Sequence, residues 1–514
     1  MNQDQSSNNK RIAHNTILLY IRMILSMGVS LYTSRIILKT LGISDYGVYN
    51  VVNSLVTIFN FLMYTLSNST QRYIQYAIVT QNKNKLKEVF LTSMNLYILL
   101  SIIIVILGET IGLWFFKTQI EVPIDRQTAA MWVYQISIIT TVYAIIATPY
   151  NAIIISYEKM NIFAYISIVE VIFKLITAYI LLFYIKTDKL IAYAVLSCIV
   201  QIIIRSLYNN YCTKTFKETQ FSFLWNKQLS KEMLSYSSWV LLGSLSGSLS
   251  NQGVKILLNV FFGPIINAAI AIADQVKIAV TSLRTNFQTA LNPQITKSFA
   301  ANNLEYMSTL IVKSMKYSFF MLWILALPIC FQADTILKIW LGNTPPHTSF
   351  FVILLLMSAF PEALANPLNT ATEAIGNIKK IKIITSVITL LTLPISYILL
   401  YINDALFNYY TPLYIYTFLT ILEIFVYIFY LQKKIHFRIK DIKKMFYQLI
   451  SVSSISLILC YSLKFIISEE TSLTALIYHT LIYIAISIII IYAVGTDYSE
   501  KKLINKYIAK LCKK

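Results

Sequence analysis

The chain of 514 residues is 57% hydrophobic and only 13% charged, with a mean hydropathy of +0.63. A soluble domain carries about 25% charged residues, so an aqueous module of any size is excluded and lipid is the solvent for most of the chain. Forty-three Lys and Arg against 23 Asp and Glu leave a net charge of +20, which without a polar domain orients the chain in a bilayer and meets anionic lipid heads, with no nucleic acid as partner.

The opening segment is polar and then basic, without a small-residue cleavage site, so the first apolar stretch is expected to stay as a helix with its amino terminus in the cytoplasm. About fourteen apolar stretches of bilayer-crossing length follow. The first six are predicted at 15–38, 46–67, 89–108, 128–148, 161–184 and 190–209. A polar, basic joint with Lys214, Lys217, Lys227 and Lys231 separates them from six more, at 234–259, 266–290, 315–333, 349–371, 383–402 and 409–431. Two last spans are predicted at 446–467 and 473–495. Lys and Arg concentrate in alternate joints, as at Lys83, Lys85 and Lys87 and at Lys379, Lys380 and Lys382. The retention of positive charge inside then predicts both termini on the cytoplasmic face.

The two halves echo each other. Arg35-Ile-Ile-Leu38 followed by Leu41-Gly42 parallels Lys255-Ile-Leu-Leu258 followed by Phe262-Gly263, six spans later. An even number of crossings returns the chain to the same side, which predicts two six-helix bundles related by a pseudo-two-fold axis along the membrane normal. The expected fold is thus an all-α integral membrane protein with a bundle over 1–213, a cytoplasmic linker at 214–231, a second bundle over 232–436, and two additional transmembrane helices with a basic tail over 437–514.

Arg35, Leu38, Leu41, Gly42, Tyr46 and Gly47, together with the stretch from Gly263 to Ala300, resemble the hairpin motifs of the polysaccharide branch of the multidrug/oligosaccharidyl-lipid/polysaccharide exporter superfamily. The resemblance covers nearly the whole chain. It implies a Wzx-like flippase that carries oligosaccharide linked to undecaprenyl pyrophosphate across a bacterial inner membrane, for O-antigen of lipopolysaccharide or another surface polymer. It also implies membrane lipids as partners, alongside polysaccharide polymerase or chain-length machinery. The last two helices resemble the extra pair of fourteen-helix members, where they help to form a lipid-facing groove. The spans here carry fewer charges than a carrier of acidic sugars would be expected to need.

Ionised groups in mid-span cost about 2.5 to 3.5 kcal/mol unless paired, hydrated or bound to a ligand, so those present are candidates for function. Arg22, Arg35, Lys255 and Lys277 are the candidate contacts for an anionic passenger, the alternative being that they snorkel to the membrane faces or pair internally. Arg205 and Arg284 lie closer to span ends and are expected to snorkel. Helical spacing offers two internal pairs, Asp274 with Lys277 and Glu170 with Lys174. Asp274 and Glu362 are the candidates for binding a coupling proton or sodium ion, Glu362 on a helix that Pro361 and Pro367 should kink.

The chain lacks a GxxxxGK[ST] loop and HExxH, GxSxG and CxxC arrangements. Its four His have no metal-ligand spacing. No enzyme activity, cofactor or metal is therefore expected. Besides a flippase, the sequence leaves open an ion-coupled exporter of drugs or metabolites, a membrane-bound polymerase and an assembly scaffold.

Overall fold

The computed structural model describes residues 2–79, 81–157, 159–220, 222, 224–376, 379–402, 408–435, 439–466, 473–502 and 505, and these are helical almost throughout, with no strand among them. Hydrocarbon offers a backbone amide no partner, and only a helix satisfies each amide within its own segment. The order is α1 (Asn2–Thr57), α2 (Asn60–Val79), α3 (Lys83–Leu107), a π-helical turn at Gly108–Gly112, α4 (Leu113–Gln119), α5 (Gln127–Ile146), α6 (Thr148–Ser156), α7 (Met160–Phe183) and α8 (Lys189–Thr215). There follow α9 (Lys227–Ala300), α10 (Leu304–Phe331), α11 (Ala333–Leu341), α12 (Thr348–Ile375), α13 (Lys379–Leu390), α14 (Thr392–Tyr401), α15 (Thr411–Ile435), α16 (Ile439–Ile466) and α17 (Leu473–Ile490). Each predicted span has a helical counterpart. Eleven stretches among the described residues are long and apolar enough to cross a membrane, and one of them, Leu241–Gln288, covers two predicted spans.

Helices outrun the predicted spans because a helix does not stop where hydrophobicity does. The second span continues to Val79 after a break at residues 58–59, and the third continues through the π-turn to Gln119. Side-chain caps mark true starts: Asn82 accepts from the Lys85 amide at 2.9 Å, and Asp188 accepts from Leu190 and Ile191 at 2.9 and 3.2 Å. Many hydroxyls inside the spans are satisfied by their own helix, donating to the carbonyl four residues back, as Ser93 does to Val89 and Ser456 to Val452.

Two compact units emerge, one of residues 1–271 with 389–409 and one of 272–388 with 410–514. In the first, Val48, Val51, Val52 and Val56 of α1 share a core with Phe116, Val133, Tyr134, Leu190 and Ala194. Phe90, Tyr150, Ile153, Ile204 and Met233 belong to another cluster of the same unit. Residues of the 214–231 linker dock there too. Phe216 stacks on Tyr157 with ring centres 4.5 Å apart, and Asn95 donates to the Leu224 carbonyl at 2.8 Å. In the second unit, α12 packs on α10 and α15, while α16 and α17 pack on α10.

The echo between halves is visible in the backbone. Gly42 and Gly263 share one conformation, φ +82 and ψ 168 against φ +74 and ψ −174, which reverses the chain inside α1 and inside α9. The two reversals meet within the first unit. A Cβ at Gly47 would lie 1.8 Å from the Pro264 carbonyl oxygen, so only glycine fits there. Nearby, Asn259, fully buried, accepts from the Glu121 amide at 2.8 Å and donates to the Glu121 carbonyl at 3.2 Å. Gly47→Ala should therefore lower stability by about 1 to 3 kcal/mol through overpacking, read as a lower thermal midpoint of the detergent-solubilised chain, whereas Gly28→Ala, which meets nothing within 4 Å, should leave it in place.

Candidate functional site

The second unit holds a cluster of ionic and polar groups on three helices. Lys277 of α9 donates to the Glu362 carboxylate of α12 at 2.8 Å and to Ser358 Oγ, one turn earlier on α12, at 3.2 Å. Tyr416 of α15 donates to the same Glu362 oxygen at 2.9 Å, and its ring lies 5.8 Å from Lys277 Nζ. The side chains of Lys277 and Glu362 are only 11% and 24% exposed, so each charge depends on the other for compensation. Arg284, two turns beyond Lys277 on α9, also acts electrostatically on Glu362. Its Nε is buried without a hydrogen-bond partner, an unusual state for a guanidinium that invites an acceptor.

Proline chemistry helps to hold α12 in place. Pro367 has no N–H for the Ala363 carbonyl, and Gln288 of α9 donates to that oxygen instead at 2.9 Å while also reaching Ser318 Oγ at 3.0 Å. The helix runs on through both Pro361 and Pro367.

Lys277 takes a partner that helical spacing does not offer: where i,i+3 spacing singles out Asp274, Glu362, 85 residues away, forms an ion pair with it at 2.8 Å. Asp274 is half-buried one turn earlier on α9. The Arg284 Nε is withdrawn from the surface, although the residue as a whole is only half-buried. Glu170 and Lys174 do pair, at 2.7 Å, and Gln201 adds a hydrogen bond to Glu170 at 3.2 Å. Arg205, one turn beyond Gln201, acts electrostatically on Glu170 and has a buried Nε without a hydrogen-bond partner. Arg35 is exposed and Lys255 half-buried, both in the first unit and each about two turns before its matched glycine. Arg22 lies on α1, outside the residues whose side chains are described.

Other ionic groups are saturated. Arg126 forks onto Asp45 at 2.6 and 2.8 Å and onto Asp188 at 2.8 and 3.1 Å. Lys382 bonds Glu373 and Asn369, each at 2.7 Å. Lys316, 3% exposed, bonds Glu500 at 2.6 Å. Asp497 takes Lys444 at 2.7 Å and Gln448 at 3.0 Å, and the Asp497 amide donates to Glu500 at 2.8 Å. Burial alone would raise the Glu500 and Asp497 carboxyls, but hydrogen bonds from Lys316 and Lys444, respectively, hold both below their ordinary values. No group of three or more His, Cys, Asp or Glu that would hold a metal occurs among the described residues.

The described residues thus form an all-helical fold with an ion pair between α9 and α12, a tyrosine donor from α15 and a duplicated glycine hairpin. The sequence matches the profile of the polysaccharide biosynthesis protein family over residues 12–299, and the chain belongs to that family. No curated protein sequence matches the chain. Among solved structures, the lipid II flippase MurJ in an inward closed conformation aligns with a TM-score of 0.69 at 12% identity, covering 96% of this chain and 100% of that one. A multidrug resistance MATE family transporter of the MOP superfamily aligns in its inward-facing conformation with a TM-score of 0.63 at 13% identity, covering 81% and 94%. Its outward-facing conformation gives 0.61 at 13% identity, covering 82% and 95%.

Breaking a buried pair leaves an uncompensated charge. Glu362→Met and Lys277→Met should each destabilise the chain by about 3 kcal/mol, and the double variant Lys277→Met/Glu362→Met should recover most of the loss in a thermal double-mutant cycle. A pH effect follows from Glu500 and Asp497. Their folded values lie below the unfolded ones, so their contribution is complete above about pH 4.5 and is lost as pH falls through the folded values. The thermal midpoint should drop with acidification below about pH 4, and Glu500→Gln should flatten that drop.

Proposed function

We propose that the chain flips lipid-linked oligosaccharide, carried on undecaprenyl pyrophosphate, across a bacterial inner membrane for O-antigen or another surface polysaccharide. Membership of the polysaccharide family supports a polymer precursor as passenger, and the fold shared with a structure titled a lipid II flippase supports a lipid-linked one. The observation that carries the reading is the Lys277, Arg284 and Glu362 cluster, in which two cations face one carboxylate and Arg284 Nε still has an unused donor. A passenger phosphate oxygen can accept that donor and compete with Glu362 for Lys277. Partial burial strengthens such an exchange, because water screens the charges less there than at the surface.

Displacement also supplies a coupling step. A Glu362 carboxylate released from Lys277 keeps the Tyr416 donor but loses its counter-charge, and it regains balance by taking a proton or a sodium ion. Asp274, one turn away on α9, is the second group for that role. Arg22, Arg35 and Lys255 complete the proposed cationic path, with 1–213 and 232–436 as the halves that alternate access and 437–514 as the added pair. Both termini are assigned to the cytoplasm, and a polysaccharide polymerase is the proposed downstream partner.

The test is leaflet accessibility of labelled undecaprenyl-pyrophosphate oligosaccharide in vesicles containing the purified chain. Lys277→Gln and Arg284→Gln should each slow flipping about tenfold or more, the size of a lost hydrogen bond to a charged group. Glu362→Gln should remove dependence on an imposed ion gradient. Unchanged flipping after joint replacement of Arg22, Arg35, Lys255 and Lys277 by Gln would refute the assignment.

A further inference from the structure

Helix α7 supplies the apolar stretch Asn161–Phe183, of 23 residues, and α8 the stretch Lys189–Thr215, of 27. At about 1.5 Å per residue the first is about 35 Å long, close to the thickness of a hydrocarbon core. Its middle residue is Ile172, so Glu170 and Lys174 stand just to either side of mid-depth. Gln201 and Arg205 flank the middle of α8, which packs on α7. Helical periodicity separates two faces of α7. Tyr165, Ile172, Ile176 and Phe183 share one face and are all exposed, as side chains against lipid are. Ser167, Thr177, Ala178 and Leu181 lie on the opposite face and are all buried. Lys174 stands in the middle of that buried face, yet its side chain is 51% exposed.

An ammonium at mid-depth needs water or counter-charge around it. Glu170 supplies one counter-charge at 2.7 Å, but half of the lysine side chain stays open on the face turned away from lipid, so water fills the opening it meets. Arg205 brings a second cation. Glu170 Oε1 receives both Lys174 and Gln201, at 2.7 and 3.2 Å, whereas Arg205 Nε is buried without an acceptor. One turn along α8, Asn209 Oδ1 is also buried without a partner, and its amide, turned over, donates instead. Orphaned polar atoms on neighbouring turns mark a place where a polar partner belongs. Two cations against one carboxylate set its sign: the fitting partner is an anion with several acceptor oxygens.

We propose that Lys174 and Arg205 form an anion-binding site at mid-depth of the first unit, in a water-filled hollow on the inner faces of α7 and α8, and that it takes a phosphate group. The planar Arg205 guanidinium offers parallel donors to two oxygens, while Lys174 turns from Glu170 to a third. Inorganic phosphates and the phosphate of a lipid headgroup share this chemistry. No covalent bond is made or broken. The site lies outside the Lys277 and Glu362 cluster, in the other compact unit, and does not rest on the passenger assigned to that cluster.

The experiment is lysine footprinting of the full chain in phosphatidylcholine nanodiscs, with a water-soluble acetylating ester and a mass-spectrometric reading of each lysine. Lys174 should be acetylated despite its depth. Inorganic pyrophosphate should slow that acetylation without slowing that of Lys117, which is exposed on α4. Arg205→Gln should leave Lys174 reactive but raise the pyrophosphate concentration for half-protection about tenfold, the loss of one hydrogen bond to a charged group. A second arm places undecaprenyl pyrophosphate in the disc and omits the free anion. Protection there assigns the phosphate to a lipid headgroup, protection in the first arm assigns it to a free anion, and either supports the site. Lys174 unlabelled throughout, protection in neither arm, or a slowing shared by Lys117 would overturn the proposal, and these wild-type readings stand even if Arg205→Gln fails to fold. Unchanged protection in a folded Arg205→Gln would overturn it as well. Flipping is not measured, so the outcome is separate from that of the passenger assignment.

Discussion

A charge in hydrocarbon must be answered by another charge, and that constraint organises the polar interior of this chain. Arg126 is answered twice, by Asp45 and Asp188; Lys316 by Glu500; Lys382 by Glu373. These groups are saturated, with short bonds and neighbouring amides or hydroxyls taking up what remains. They hold helix ends together and leave nothing to offer a ligand. The clusters around Glu362 and Glu170 differ, because each gathers a lysine in direct contact and an arginine with a buried, unused donor. A buried arginine donor without an acceptor is suited to an anion.

The hairpins show how tightly backbone geometry is set where side chains cannot help. Gly42 and Gly263 take a conformation that other residues strain to adopt, and Gly47 lets the Pro264 backbone approach to a distance no side chain would permit. Asn259 then fastens the neighbouring segment by bonding both polar atoms of the Glu121 backbone, as a strand partner would. This part of the first unit is held by backbone contacts and one amide, not by greasy packing alone.

Much of this was legible in the sequence, because hydropathy reports on solvent and every predicted span became helical. The repeat was legible through Gly42 and Gly263, since a glycine that must reverse a chain leaves a fixed mark. Span ends were not, because α3 and α8 extend past the apolar run on caps and polar turns. The Glu170–Lys174 pair could be read from helical spacing, which describes a single helix. The Lys277 partner could not, because Glu362 is distant in sequence and only helix packing brings it near. Arg284 was hidden for the same reason: depth along a helix says nothing about which face is covered. The turn at Gly108–Gly112 begins at the predicted end of its span, in a π-helical form that no periodicity announces.

That turn also sets which face α4 turns to its neighbours. A π-turn holds one residue more than the α-helix it interrupts, so everything after it is rotated by about 100°. The ring of Phe116 stacks on Tyr134 at 5.2 Å only because of that rotation, and it closes the core built on Val48, Val51 and Val52. A homologue one residue shorter between 108 and 112 would swing Phe116 out among the acyl chains and bring a neighbour into its place. Drift in the length of this segment is thus barred by an aromatic ring lying beyond it.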